Sequence, residues 1–306
     1  MHALTFEHVT KRYGREVVVD DLSFAVQPGR VTGFLGPNGA GKSTAMKVLL
    51  DLARATTGRA RIGGRRYRDL VSPARTVGVV LEPNAFHPGR SGRNHLRVLA
   101  DGLGLGAGRV DAVLGLVGLD HAADRRVGAY SLGMRQRLSL AAALLGDPPV
   151  LVLDEPGNGL DPQGIRWLRD LLRDRADAGS TVLVSSHLLA EVEHLADDVV
   201  VINRGKLVTA GALSALQHAG VTVRSPQAAV LVDLLAAAGA SVTPAPDGAT
   251  VVHGMSPARI GDLAAERGVT LHELSAHAGS LEDLFLRWTA DRSEVDLAAR
   301  KGEVLA

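Results

Sequence analysis

The sequence predicts an α/β protein built around a buried parallel sheet, and three observations support this fold class. Residues Val31–Leu35 are an apolar run of strand length that leads into a glycine-rich loop and then into a helical apolar pattern over 43–52. Helical periodicity returns over 165–178. Further apolar runs of strand length occupy 77–81, Val150–Leu153 and 181–184. Continuous apolar runs separated by helices are typical of parallel strands that are covered on both faces.

The segments around these strands have other patterns. Residues 4–9 and 17–19 favour short β-strands, and Pro28-Gly29 is a turn signal. From Gly92 to Leu145 the apolar residues recur at helical spacing, so we expect a helical insertion that interrupts the α/β core.

A polar boundary near Gly211 separates a C-terminal region with its own pattern. Its predicted elements are strand 221–224, helix 227–238, strand Ser241–Pro244, strand 249–253, helix 256–267 and strand 269–274. This βαββαβ order is the split pattern of ferredoxin-like domains. A last helix over 280–291 would place Leu281, Leu284, Phe285 and Trp288 on one face. That face either packs on its own module or forms a dimer or regulatory surface.

Composition narrows the function classes. With 34 basic and 33 acidic residues among 306, the net charge is +1, which argues against binding nucleic acid through bulk phosphate neutralisation. The chain has no cysteine, so disulfides and thiolate metal sites are excluded. The N-terminus lacks a secretory signal pattern, and the longest apolar stretch, 228–242, is interrupted by Asp233. We therefore expect a soluble protein whose membrane role, if any, depends on a partner.

The glycine-rich loop has the full pattern of a Walker A motif, with a strand before it and a helix after it. It comprises Gly36, Pro37, Asn38, Gly39, Ala40, Gly41, Lys42, Ser43 and Thr44. Glycines let backbone N–H groups turn towards phosphates, and a helix N-terminus adds its dipole. Lys42 would contact the β- and γ-phosphates of ATP, and the Ser43 hydroxyl would bind Mg²⁺.

Two carboxylates end the strand Val150–Leu153. Adjacent strand residues point to opposite faces, so Asp154 and Glu155 are expected to have different tasks. Beside a Walker A loop, Asp154 would hold the magnesium shell and Glu155 would orient or deprotonate the attacking water.

With these motifs in order, residues 2–215 resemble the nucleotide-binding subunits of ABC transporters. By that resemblance, Tyr13 stacks on adenine, Asp161 lies in a loop that crosses the dimer interface, and His187 is the switch residue that senses the γ-phosphate. Glu82 stands where the family usually has glutamine, and would reach Mg²⁺ and ATP. The signature segment, Ser131, Leu132, Gly133 and Met134, departs from the usual Leu-Ser-Gly-Gly-Gln and would contact nucleotide bound to another subunit.

The resemblance implies a P-loop NTPase core of the ABC type with an antiparallel β-subdomain. We expect a nucleotide-binding domain over 1–212, with a helical subdomain at about 88–146, and an α+β accessory domain over 213–306. The implied activity is hydrolysis of ATP with Mg²⁺, with Lys42, Glu155 and His187 as catalytic residues.

The implied partners are a separate integral membrane permease of the ABC-2 type and a second nucleotide-binding subunit, most simply another copy of this chain. The chain would then lie on the cytoplasmic face of the membrane. Glu82, the signature variant and residues 281–286 resemble drug- and antibiotic-export cassettes. A soluble ABC-type ATPase of translation or DNA metabolism, an importer cassette and a P-loop small-molecule kinase are the alternatives, and the transported substrate stays open.

Overall fold

The computed structural model describes residues 3–81, 86–186, 189–216, 220–244, 248–277, 281–282 and 285. The chain divides into two compact units, Met1–Ala212 and Leu213–Ala306. The strands of the first unit are β1 (Leu4–Tyr13), β2 (Glu16–Val26), β3 (Val31–Leu35), β4 (Thr57–Ile62), β5 (Val77–Val80), β6 (Val150–Leu153), β7 (Thr181–Ser185), β8 (Asp198–Asn203) and β9 (Lys206–Ala212). Its helices are α1 (Lys42–Leu49), α2 (Pro73–Thr76), α3 (Gly92–Gly102), α4 (Ala107–Leu116), α5 (Leu132–Leu144), α6 (Pro162–Asp177) and α7 (Leu189–Leu195).

A six-stranded sheet in the order β5-β6-β7-β3-β8-β9 forms the centre of the first unit. Its first five strands are parallel, and β9 pairs antiparallel with β8 at one edge. Strands β3, β6 and β7 are buried at every position, because the sheet is covered on both faces. The predicted α/β fold class is confirmed.

A second sheet, in the antiparallel order β2-β1-β4, is the predicted antiparallel subdomain. Its apolar side packs on α1 and on the central strand. Phe6 stacks on Phe24 with ring centroids 4.3 Å apart, and Phe24 contacts Phe34 of β3 at 5.5 Å. This core holds the glycine-rich loop between two sheets.

The predicted helical insertion is also present, as α3, α4 and α5 between β5 and β6. Leu96, Val113 and Leu138, one from each helix, are fully buried in a common core. Tyr130, just before α5, donates a hydrogen bond from its hydroxyl to the carbonyl of Ala122 at 2.7 Å. The start of α5 is therefore fixed to the preceding loop.

The second unit has the predicted βαββαβ order. Its elements are α8 (Leu213–Leu216), β10 (Gly220–Arg224), α9 (Ala228–Ala237), β11 (Ser241–Pro244), β12 (Thr250–His253), α10 (Pro257–Glu266) and β13 (Glu273–His277). The strands form an antiparallel sheet in the order β11-β12-β10-β13, which is the ferredoxin-like arrangement. The two longer helices bury Leu231, Leu235 and Ile260.

Two predicted element boundaries are wrong for the same physical reason. The helix predicted over 43–52 ends at Leu49, because Asp51 adopts a left-handed conformation with φ +56° and the N–H of Leu52 bonds back to Lys47. The strand predicted over 269–274 begins only at Glu273. Val269 instead closes the end of α10 by donating to the carbonyl of Ala264 at 2.8 Å. Both are Schellman-type helix ends.

Most of the helix predicted over 280–291 lies outside the described residues, and Leu281 within it is buried. Among the described residues, no helix combines the length and hydrophobicity that a membrane span needs.

Candidate functional site

The glycine-rich loop connects β3 to α1, and close packing dictates its glycines. Gly41, with φ +102°, is the N-cap of α1, and a Cβ there would lie 2.6 Å from the carbonyl oxygen of Val18 in β2. A Cβ at Gly36 would lie 2.5 Å from the carbonyl oxygen of Ile202 in β8. The loop is thus pressed between the two sheets at positions where only glycine is accommodated.

Lys42 begins α1 and folds back over this loop. Its side chain is 7% exposed, and its Nζ donates to the carbonyl oxygens of Gly36 at 2.6 Å and Pro37 at 3.3 Å. Burial lowers the pKa of Lys42 below its ordinary value, and the charges of Glu155 and Asp154 partly oppose that shift. A partly desolvated cation is therefore held beside two carboxylates.

Asp154 and Glu155 follow β6, and Ser185 at the end of β7 contacts both. The buried Ser185 hydroxyl donates to Oδ1 of Asp154 at 2.5 Å and accepts from the backbone N–H of Glu155 at 2.9 Å. Glu155 has a left-handed backbone, with φ +50°, which is uncommon for a residue other than glycine. One hydroxyl therefore contacts the carboxylate of Asp154 and the backbone of Glu155.

One polar pocket of about 230 Å³ collects most of the predicted nucleotide site. It is lined by Val18, Asn38, Gly39, Ala40, Gly41, Lys42, Ser43, Thr44, Asp154 and Glu155. Ser43 is exposed at the first turn of α1, and Asp154 is buried. Oxygen ligands near a lysine and a helix N-terminus are the donor set that a magnesium–phosphate group requires, so the residues fit MgATP.

The signature residues and Asp161 lie together at a different pocket of about 440 Å³. Ser131 is the N-cap of α5 and accepts from the N–H of Met134 at 3.2 Å, whereas Asp161 caps α6 by accepting from Gly164 at 2.7 Å. Gly159 has φ +80°, and a Cβ there would lie 2.4 Å from Cγ of Leu132. The signature and the Asp161 loop therefore touch each other. None of the lining residues is shared with the Lys42 pocket.

A buried glutamine links the two pockets. Gln136 on α5 is 1% exposed and donates from Nε2 to the carbonyl of Pro156 at 2.8 Å, directly after Glu155. Its Oε1 has no hydrogen-bond partner among the described residues. The signature helix is thus joined through one side chain to the loop that carries the catalytic candidate.

Among the described residues predicted to bind ATP, Gly36, Pro37 and Tyr13 do not line the Lys42 pocket. Tyr13 is half exposed in the β1–β2 hairpin, where the ammonium of Lys11 lies 4.5 Å from its ring centroid. Glu82 and His187 lie outside the described residues, and their assignments stay predictions.

Sequence reasoning missed the parts played by Ser185, Gln136 and Val18. Ser185 and Gln136 stand inside recognised motifs, but their partners are 31 and 20 residues away in sequence. Val18 lines the pocket from the other sheet, and its only sequence signal is that of a β-strand.

Fold and site together define a P-loop nucleotide-binding protein. Residues 19–158 match the family described as ABC transporter, and residues 219–282 match a domain of unknown function, DUF8746. The chain is 38% identical over 207 residues to the lantibiotic transport ATP-binding protein SrtF of Streptococcus pyogenes, covering 67% of this chain and 89% of that protein. It is 39% identical over 244 residues to the Nod factor export ATP-binding protein I of Burkholderia orbicola, covering 76% and 80%.

A solved structure of the ATP-binding subunit of an ABC transporter superposes with a TM-score of 0.64 at 28% identity, covering 70% of this chain and 92% of that one. The chain belongs to the ABC transporter family of ATP-binding proteins, which bind and hydrolyse ATP.

Proposed function

We propose that this chain is the ATP-hydrolysing subunit of an exporter, and that it acts on a separate membrane-spanning subunit. The observation that carries the proposal is the single pocket in which Lys42 and Ser43 of the loop face Asp154 and Glu155. A nucleotide-binding surface without a carboxylate beside the phosphate position would support binding alone. Here the chain provides groups for binding and for activation of water.

Lys42, the backbone N–H groups of the loop and the start of α1 bind the phosphates. Lys42 is already desolvated, which strengthens its interaction with an incoming anion. Ser43 and Asp154 would hold Mg²⁺. When bound, that ion neutralises charge on the β- and γ-phosphates.

Glu155 is the general base or water-orienting group. Both carboxylates line the pocket, and Asp154 also accepts a hydrogen bond from the Ser185 hydroxyl. We infer that Asp154, fixed by Ser185, serves the metal and that Glu155, whose backbone is left-handed, serves the water.

A second subunit completes the site. Ser131 and Gly133 line a pocket that shares no residue with that of Lys42, which supports contact with nucleotide bound by another copy. In a head-to-tail pair, the N-terminus of α5 in one copy faces the phosphates bound by the other. His187 and Glu82 act beside the γ-phosphate and Mg²⁺ in this proposal, and Tyr13 stacks on adenine.

The transported substrate is a lantibiotic-like peptide, another antibiotic or a lipid-like molecule. The printed functions of the two relatives, lantibiotic transport and Nod factor export, support this class and the outward direction. The substrate would bind the permease, so this chain would supply only the energy of ATP hydrolysis, from the cytoplasmic face.

The first test is Glu155→Gln. Removing the base while retaining the shape of the side chain should lower the rate of ATP hydrolysis by about 100-fold or more and leave ATP binding intact. On size-exclusion chromatography with ATP, the variant should elute as a dimer. Glu266→Gln, at the end of α10 in the other unit, is the charge-matched control and should hydrolyse ATP like the wild type. Wild-type turnover by E155Q would contradict the assignment of Glu155.

The exporter assignment has its own test. Tagged E155Q protein should retain, in the presence of ATP, a stoichiometric multi-spanning membrane protein from detergent-solubilised membranes of the encoding organism. Recovery of ribosomes or DNA-associated proteins instead would leave the ATPase intact and overturn export.

A further inference from the structure

A second cationic cavity lies at the far end of α1, away from the nucleotide pocket. It has a volume of about 480 Å³, roughly twice the 230 Å³ of the Lys42 pocket, and the two share no lining residue. Its cationic lining consists of Arg54, Arg59, Arg66 and Arg68, with Asp51 as the acidic member. Because α1 has eight residues, its two ends are about 12 Å apart.

The sequence concentrates positive charge here although the whole chain is nearly neutral. Six arginines and no acidic residue occur between 54 and 68, against a net charge of +1 for all 306 residues. The turn after α1, strand β4 and the turn at Tyr67–Asp69 bring four of the six to one concave surface.

Two of the four arginines are already neutralised. Arg68 forms an ion pair with Asp51 at 2.8 Å, and its backbone N–H donates to the same carboxylate at 3.0 Å. These bonds hold the pKa of Asp51 below its ordinary value. Arg59 pairs with Glu7 at 2.5 Å.

The other two arginines, Arg54 and Arg66, form no ion pair within 4 Å among the described residues, although the charge of Arg66 helps to lower the pKa of Asp51. Another cation lies close by, because the ammonium of Lys11 donates to the backbone carbonyl of Arg54 at 2.9 Å. Like charges gathered in a concave surface repel one another, and a multivalent anion relieves that repulsion.

We propose that this cavity, with Arg54 and Arg66 as its anion-binding residues, is a second ligand site for a small molecule that carries two or more phosphate groups. The planar guanidinium fork matches phosphate oxygens in pairs, and all of the cations lining the cavity are arginines. The volume lies in the range of small-molecule pockets, which favours a compact ligand over a polymer.

The test uses inorganic tripolyphosphate as the probe. Lys42→Ala in the full chain removes the competing phosphate site, and calorimetric titration in magnesium-free buffer should then detect one remaining site. Adding R54A/R66A should weaken that site by about 100-fold, roughly tenfold for each charged hydrogen-bonding partner. The matched control, R65A/R97A in the same background, removes two exposed arginines outside the cavity lining and should retain the affinity.

Circular dichroism and thermal unfolding check that each variant folds. If the double variant does not fold, the single variants Arg54→Gln and Arg66→Gln replace it in the titration. Absence of tripolyphosphate binding by folded K42A protein, or equal affinity in R54A/R66A, would overturn the proposal. So would tighter binding of duplex DNA than of tripolyphosphate at the same arginines. None of these outcomes depends on ATP hydrolysis, so they are independent of the proposed exporter function.

Discussion

At the scale of single residues, Ser185 is the position where one atom supports two functional groups. Its hydroxyl lies 2.5 Å from Oδ1 of Asp154 and 2.9 Å from the N–H of Glu155. Ser185→Ala would leave both groups without that partner. We expect the free energy of unfolding to fall by about 1 to 3 kcal/mol. If Asp154 binds Mg²⁺ as proposed, ATP turnover should fall by about tenfold or more, the effect of removing a residue that orients a metal ligand.

Chemical denaturation and a steady-state phosphate-release assay measure the two effects. Ser139→Ala is the matched control, because Ser139 is also buried and, among the described residues, donates only to the carbonyl of Arg135 in its own helix, at 3.2 Å. Its turnover should remain at the wild-type rate. Equal turnover of S185A and S139A would show that Ser185 does not orient the carboxylates.

Lys42 gives a prediction about pH. Its pKa lies below the unfolded value of 10.5 because burial disfavours the charged form. Between the folded and unfolded pKa values the unfolded chain binds more protons, so stability rises with pH. The buried charge therefore lowers the free energy of unfolding at neutral pH. This destabilisation decreases as pH rises from the folded pKa towards 10.5.

Lys42→Met removes the titrating group while retaining much of its volume. We expect the difference in unfolding free energy, wild type minus K42M, to shift in favour of the wild type as pH increases through the alkaline range. Urea titrations of both nucleotide-free proteins at a series of pH values measure it. A pH-independent difference would mean that burial does not shift Lys42.

At the scale of single residues, the sequence best predicts those site residues that belong to one contiguous motif. The loop 36–44 and the pair Asp154-Glu155 were predicted as a site, and the structure places most of these residues around one pocket. Ser185 and Gln136 were not predicted, because their importance lies in contacts with distant residues. The left-handed conformation of Glu155 has no sequence signal at all, since glycine is the usual residue there.

At the scale of elements, α7 packs directly on the backbone of the central strand β3. A Cβ added at Gly33 would lie 2.4 Å from Cγ1 of Val192. Gly33→Ala should therefore destabilise the protein by about 1 to 3 kcal/mol through overpacking. Val192→Ala creates space at the same contact, so G33A/V192A should be more stable than the sum of the single changes predicts.

Urea unfolding of the four proteins in a double-mutant cycle gives the coupling energy. Gly102→Ala is the control for the glycine change, because no atom lies within 4 Å of the added Cβ. Strict additivity of the Gly33 and Val192 changes would contradict the packing argument.

Element types follow from periodicity, whereas element ends depend on single backbone conformations. The helix predicted through residue 52 stops at Leu49, because Asp51 takes the left-handed conformation that glycine usually supplies at a helix end. At the end of α10 the terminating residue is Gly268, but the apolar residue after it, Val269, was interpreted as strand. In the structure, Val269 is the hydrophobic residue that follows the Schellman turn at Gly268.

At the scale of the whole molecule, the sequence predicts parallel strands but not their order. Strand β3 lies between β7 and β8, which come about 150 residues later, and no local pattern encodes such pairing. The ferredoxin-like unit was predictable because its order of elements is compact along the chain. Strands β8 and β9 were not among the predicted elements.

The position of β9 has a consequence for how this protein is assembled from parts. β9 is the outermost strand of its sheet, and its final residue, Ala212, pairs with Asp198. All six strands of that sheet precede the second unit along the chain. We therefore expect a fusion that joins a different segment after residue 212 to retain all six strands of the central sheet. The boundary after residue 212 is thus a position at which a different accessory domain could be joined to the ATP-binding unit.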